Sequence, residues 1–339
     1  MKKTMIALAT IAAMGSASAQ VAITGGISFA WIKDIQSRVD GSAAKSLVNS
    51  SAYIDIDVTE DLGGGVKAAG HMEFNQDGGW ASSAYADTKS LVLSGPVGAL
   101  TLANTRSGGN QAAALVAPTG ALWEGAFDVG NVITRSGIDT AKVSIPVTAA
   151  LTASIAYVEA YKAIPVANAY DGSKFGFAYG DGAGTPASST YTLGATYVAT
   201  GLKVVGQYNM TSATDALNAA LSAAGVTDPR TTSYDLSVVY DAGVAKLGFG
   251  YDSPRRAKQN GTDEAAMLFG VSVPMGATTI GANYATRDKN NFFQVGAKYD
   301  LSKRTDVQAA YGTYTTAGKA LPSGDLVQDT WTVRLSHSF

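Results

Sequence analysis

The chain has 339 residues, no cysteine, only two histidines and nine prolines, and charged side chains make up just 15% of it. Without cysteine there is no disulfide framework and no thiolate metal centre. His71 and His337 alone offer little for a metal cluster or a nucleophile–base pair, so neither a metal, a cofactor nor an enzyme is expected. Basic residues are not in excess: 25 Lys and Arg stand against 27 Asp and Glu, a formal charge of −2. No basic stripe exists to neutralise phosphates, which excludes nucleic acid as a partner. Long helical apolar runs are missing too. The two charge-free windows, 182–202 and 265–286, contain turn residues and alternate with period two, so they read as strands around turns.

What is present begins with an export signal. Lys2 and Lys3 precede an apolar run from Met5 to Met14, and Ala17-Ser18-Ala19 stands before Gln20. The run is too short to span a bilayer, so residues 1–19 are expected to be cleaved and 20–339 to form one domain. Taking Lys2 and Lys3 from the 25 basic residues leaves 23 against 27 acidic ones, a net charge of −4. The whole chain has 38 Gly and 16 Tyr, residues of turns and of membrane interfaces.

The last nine residues carry the clearest pattern. Trp331, Val333, Leu335, His337 and Phe339 fall on one strand face, and Thr332, Arg334, Ser336 and Ser338 on the other. A strand apolar on one side, polar on the other and ending on an aromatic fits a barrel wall between lipid and water. The same alternation recurs near 21–31, 53–58, 66–75, 87–95, 98–105, 137–146, 148–160, 189–199, 201–210, 231–241, 243–252, 264–274, 277–287, 291–300, 304–315 and 326–339. A soluble β-sandwich also alternates. However, Asp55, Asp57, Lys67 and Glu73 sit regularly between apolar residues, and a dry core would make them costly, whereas a water-filled lumen would not. Trp31, Tyr251, Tyr299 and Trp331 stand at strand ends, as an aromatic girdle requires. The expectation is therefore an all-β, sixteen-stranded antiparallel transmembrane β-barrel with short turns on one side and long external loops on the other. Sixteen strands leave an aqueous channel where eight would fill with side chains. Residues 172–180 read as a further half-strand inside the fourth long loop.

Four stretches resemble the general porins of Gram-negative bacteria, most closely those of β-proteobacteria. They are Glu60-Asp61-Leu62-Gly63-Gly64-Gly65-Val66-Lys67-Ala68, Leu93-Ser94-Gly95-Pro96-Val97-Gly98-Ala99-Leu100-Thr101-Leu102, Tyr299-Asp300-Leu301-Ser302-Lys303-Arg304-Thr305-Asp306 with Ala309-Ala310-Tyr311-Gly312, and Arg334-Leu335-Ser336-His337-Ser338-Phe339. The resemblance implies a homotrimeric diffusion channel in the outer membrane, embedded in lipid and lipopolysaccharide and passing ions and small hydrophilic solutes. It implies a third loop folded into the pore, and a terminal Phe339 read by the outer-membrane assembly machinery. That third loop is 106–135, and its Trp123-Glu124-Gly125-Ala126-Phe127-Asp128 is similar to the acidic, aromatic tip placed at the constriction. Glu124 and Asp128 are the expected acidic face.

Opposite that loop the family's arginine ladder is broken. Asn104 stands where one arginine is expected, Asp55 and Asp57 stand where another often lies, and Lys142 replaces a third. Arg106, two residues beyond Asn104, is expected to keep its parity toward the lumen. The expected pore wall is Lys67, Arg106, Lys142, Lys203, Lys246, Lys298 and Arg334, with Asp55, Asp57 and Glu73 adding acid. With part of the ladder acidic, weak cation preference is expected. The alternative is a solute-specific channel lined by Tyr53, His71 and Trp123; an adhesin is disfavoured by short, plain loops. N-terminal sequencing of the exported protein tests the first step, with Gln20 expected as the new first residue.

Overall fold

The structure, a computed structural model, describes residues 19–33, 45–77, 85–107, 136–160, 188–213, 232–253, 265–287, 290–315 and 327–339. Their regular elements are sixteen strands: β1 (Gln20–Lys33), β2 (Lys45–Gly63), β3 (Val66–Asp77), β4 (Tyr85–Gly95), β5 (Gly98–Ser107), β6 (Ser136–Pro146), β7 (Leu151–Ala160), β8 (Ser188–Ala199), β9 (Leu202–Ala213), β10 (Thr232–Asp241), β11 (Lys246–Asp252), β12 (Ala266–Met275), β13 (Thr278–Arg287), β14 (Asn290–Asp300), β15 (Thr305–Thr315) and β16 (Val327–Ser338). Each pairs antiparallel with its chain neighbours, and β1 pairs with β16, so the sheet closes into a barrel. The connections after even-numbered strands are short and lie at the end that also holds Gln20 and Phe339. This matches an even strand count.

The turns share one chemical device. Asp61 Oδ1 accepts from Gly63 N and Asp241 Oδ1 from Gly243 N, both at 2.9 Å. Thr148 Oγ1 accepts from Leu151 N, and Ser302 Oγ from Thr305 N, both at 3.0 Å. Short oxygen-bearing side chains thus satisfy backbone donors that the ladder leaves free.

Alternation places apolar side chains outward. Val21, Ile23, Leu91, Leu102, Ile155, Leu193 and Leu335 are all exposed on that face. Outward Phe249, Phe269, Tyr284 and Phe293 are successive register partners across four strands, and Tyr234 stacks on Tyr251 with centroids 5.7 Å apart. Tyr197, Tyr240, Tyr299 and Phe339 mark the turn end of the same face. Aromatics at both ends of an apolar band are what two lipid–water interfaces select.

Several sequence expectations shift at the edges. β2 begins at Lys45, not near Tyr53, because its register jumps from Ser51 to Asn49 as it passes Ser28 and Phe29. That bulge resets the parity and hides the extension from a period-two reading. β4 starts at Tyr85 behind a similar shift after Glu73. β12 runs through Pro274 to Met275, so the turn falls on Gly276 rather than on Pro274-Met275-Gly276. Residues 1–18, 172–180 and most of 106–135 lie outside the described residues, although Arg106 and Ser107 prolong β5.

The seam is where the ends meet. Gly25 N donates to Phe339 O at 3.1 Å and Phe339 N donates to Gly25 O at 3.0 Å. A Cβ on Gly25 would stand 2.7 Å from both the Phe339 ring and the Tyr53 carbonyl oxygen. The ring thus covers a glycine that must stay bare, as edge glycines are covered in built sheets. Gly25→Ala is expected to lower unfolding stability by about 1–3 kcal/mol, as overpacking does, read as a lower urea midpoint for the barrel folded in lipid vesicles.

Candidate functional site: the inner wall

The inner wall is built by the residues that alternate with the outward apolar ones. On β2 and β3 these are Asp55, Asp57, His71 and Glu73, with Asp55 opposite Glu73 and Asp57 opposite His71. His71 Nδ1 lies 2.8 Å from Asp57 Oδ1, and all four side chains are partly exposed. His71 is six residues from Gly65 in the turn, about 20 Å along the strand. At the usual barrel tilt that is about 15 Å in height, near the middle of the apolar band.

The expected basic wall sits elsewhere. Lys67 and Lys203 each lie two residues beyond a turn glycine, Lys246 is the first residue of β11, and Lys298 lies two residues before the end of β14. All four therefore ring the turn-side mouth. Two are paired there: Lys246 Nζ to Asp241 at 3.6 Å and Lys298 Nζ to Asp300 at 2.9 Å. Arg334 Nη2 donates to Gln308 Oε1 at 3.0 Å. Lys142 is an inward residue of β6, facing Thr101 and Ala156 across the ladders. The structure thus brings the acids together at mid-height and spreads Lys67, Lys203, Lys246 and Lys298 around one mouth.

Two expectations about parity do not hold. Asn104 alternates in phase with Leu100 and Leu102, which are exposed on the outer face. Position 106 continues that phase, so the parity argument that set Arg106 toward the lumen fails. Asn104 instead belongs to an outward polar row, Lys89–Asn104–Asp139–Glu159, formed by register partners on β4 to β7. Asn104 Nδ2 donates to Asp139 Oδ1 at 2.5 Å, and Tyr157 OH to Glu159 Oε1 at 2.8 Å. A concavity of about 730 Å³ opens beside this row on the outer surface, between Val58, Met72, Leu91, Leu102 and Tyr157. Glu124, Asp128 and Trp123 lie outside the described residues.

Sequence reading missed the other half of the wall. On β8 to β16, apart from the lysines and Arg334, many inward residues are polar and buried, among them Asp235, Asp252, Ser272, Asn283, Gln294 and Gln308. Here polarity is met by neighbours as well as by water. Thr192 Oγ1 donates to Asn209 Oδ1 at 2.7 Å, and Asn209 Nδ2 donates to Asp235 Oδ2 at 3.0 Å. The signal was available: Asp235 stands between outward Tyr234 and Leu236, the same alternation that places Asp55. Because Asp235 is 3% exposed and holds Asn209, Asp235→Ala is expected to cost about 1–3 kcal/mol. Lys246→Ala, at an exposed pair, is expected to cost about 1 kcal/mol or less in the same urea titration.

With this geometry the comparisons with known proteins agree. The family model described as Gram-negative porin matches residues 4–319. No curated protein matches the chain by sequence. Among solved structures, the anion-selective porin from Comamonas acidovorans is similar at 18% identity and TM-score 0.66, with 95% of this chain and 100% of that one covered. OmpT of Vibrio cholerae in its trimer form is similar at 12% identity and TM-score 0.61, covering 95% and 100%. A mutant of Rh. blastica porin is similar at 12% identity and TM-score 0.59, covering 94% and 100%. This chain's wall of sixteen strands is closed and apolar toward lipid, its fold is similar to that of these porins, and the chain belongs to the Gram-negative porin family, whose members form channels across the outer membrane.

Proposed function

We propose that the protein passes ions and small hydrophilic solutes by passive diffusion, with a weak preference for cations. The observation that carries this reading is the cluster of Asp55, Asp57 and Glu73 at mid-height, facing inward where a solute crosses the barrel. A passage of this kind needs no chemistry. It keeps the solute hydrated, and the field of fixed wall charges sets which sign enters more easily. Lys67, Lys203, Lys246 and Lys298 act at the turn-side mouth, where pairing with Asp241 and Asp300 offsets two of them. Lys142 and Arg334 complete the basic wall, and Glu124 and Asp128 supply the acidic face opposite. The Comamonas relative is named anion-selective; the acids on β2 and β3 argue for the opposite sign here.

The working form in this reading is a homotrimer. Lys89, Asn104, Asp139 and Glu159 form a polar row on the outer face, six to eight residues from the turn-side strand ends and roughly 15–20 Å above them. Charges at that depth are costly against lipid, up to about 2–4 kcal/mol for a lysine at the midplane and less for a carboxylate. A second barrel laid against β4 to β7 relieves that cost, and the Vibrio cholerae relative is described in a trimer form. Residues 1–19 direct export, Phe339 is read by the assembly machinery, and lipopolysaccharide surrounds the assembled barrel.

Planar-bilayer recording under a salt gradient tests both parts. Conductance closing in three equal steps and a cation-directed reversal potential are expected, whereas an anion-directed one would refute the selectivity. Asp55→Asn combined with Glu73→Gln is expected to lower the cation-to-anion permeability ratio by roughly twofold. Asp139→Lys is expected to shift the protein from trimer to monomer on a native gel while the barrel still folds.

A further inference from the structure

Within the acidic cluster the geometry is that of a ligand set. One donor atom each from Asp55, His71 and Glu73 lies within 4.8 Å of the other two. The donor atoms of a tetrahedral site with bonds of about 2.1 Å stand roughly 3.4 Å apart. Small side-chain rotations close the difference, and the partial exposure of all three leaves room for them. Asp57 supplies the remaining part. Its Oδ1 lies 2.8 Å from His71 Nδ1; in the neutral ring whose Nδ1–H donates to this carboxylate, Nε2 is the nitrogen that can ligate. A carboxylate behind the imidazole is the arrangement that fixes the tautomer and raises the basicity of a metal-binding histidine.

We propose that Asp55, His71 and Glu73 bind a divalent transition-metal ion on the channel wall, with Asp57 as the positioning residue. The scaffold suits the task. All four residues sit on paired strands, in the register Asp55↔Glu73 and Asp57↔His71, and the ladder holds them more firmly than a loop would. The imidazole nitrogen sets the class of ion: borderline metals such as Zn²⁺, Co²⁺ or Ni²⁺ accept one nitrogen and two carboxylate oxygens, whereas Ca²⁺ and Mg²⁺ prefer oxygen alone. Three protein ligands leave an open position toward the lumen for water, so the ion exchanges with the solution passing it. Binding also changes the wall. Three carboxylates carry −3, and a bound dication leaves −1, which turns a cation-attracting surface into a nearly neutral one.

The inference stands apart from the selectivity reading, because binding is measured directly. The full mature barrel, folded in detergent, is titrated calorimetrically with Zn²⁺, and the visible absorption of its Co²⁺ form is recorded. One Zn²⁺ per chain is expected, with Co²⁺ bands typical of nitrogen–oxygen ligation. His71→Ala and Glu73→Gln are expected to weaken binding at least tenfold, and Asp57→Asn by about tenfold or more. His337→Ala, at the turn end beside Thr305, is expected to leave it unchanged. Should His71→Ala fail to fold, as judged by heat-modified gel mobility, His71→Gln replaces it. Absence of stoichiometric binding overturns the proposal. So does equal binding by the His71 variant, or displacement of Zn²⁺ by equimolar Ca²⁺, which would reduce the site to a diffuse carboxylate field.

Discussion

The structure depends on the closure of one hydrogen-bonded ladder. Lipid offers backbone groups no water, so every strand needs a partner on both edges, and the only edge left in a sixteen-strand meander is the one between β1 and β16. Seven residue pairs from Gly26↔Ser338 to Ile32↔Thr332 close it, and the bonds between Gly25 and Phe339 extend it to the chain end. The details around the seam follow from this. Gly25 is bare because the terminal ring and the Tyr53 carbonyl occupy its Cβ position. The bulge in β2 lets a longer strand stay in register with β1 without turning its apolar residues inward.

Closure creates two faces, and each departs once from the simple rule. The outer face is apolar with aromatic ends, except for the row from Lys89 to Glu159. That row is internally bonded through Asn104 and Asp139, which is how polar groups survive away from water. The inner face is charged and partly exposed on β2 and β3, whereas from β8 to β16 it combines buried polar residues with lysines near the turn mouth. An asymmetric wall of this kind gives a passing solute one acidic side at mid-height and a basic ring at the turn mouth. The described wall charges therefore differ with depth, which net charge alone would not reveal. A metal ion bound at His71 would act on the acidic part of that profile only.

The candidate site was legible in part. Asp55, Asp57 and Glu73 were visible as acids alternating with apolar residues, and the structure unites them. His71 was visible only as a ring on the same face. Its pairing with Asp57 required the register between β2 and β3, which depends on the three-glycine turn at Gly63 to Gly65. Counting histidines argued against a metal site, whereas the proposal of one rests on carboxylates as co-ligands beside His71. The arginine ladder failed differently: Asn104 was matched by motif, while its neighbours Leu100 and Leu102 already pointed the other way.

By itself the sequence determined the period-two alternation, the sixteen strands, the turn side and the polar-inward wall, because these depend on residues close together in the chain. Side-chain period is local, and so are the Asp, Thr and Ser turns that end the strands. Only the tertiary structure decided which residues of distant strands meet. Interstrand register decided this: Lys89↔Asn104, Asn104↔Asp139 and Asp139↔Glu159 became a row, and Asp57 came to hold His71, through pairings that a slip of one residue would undo.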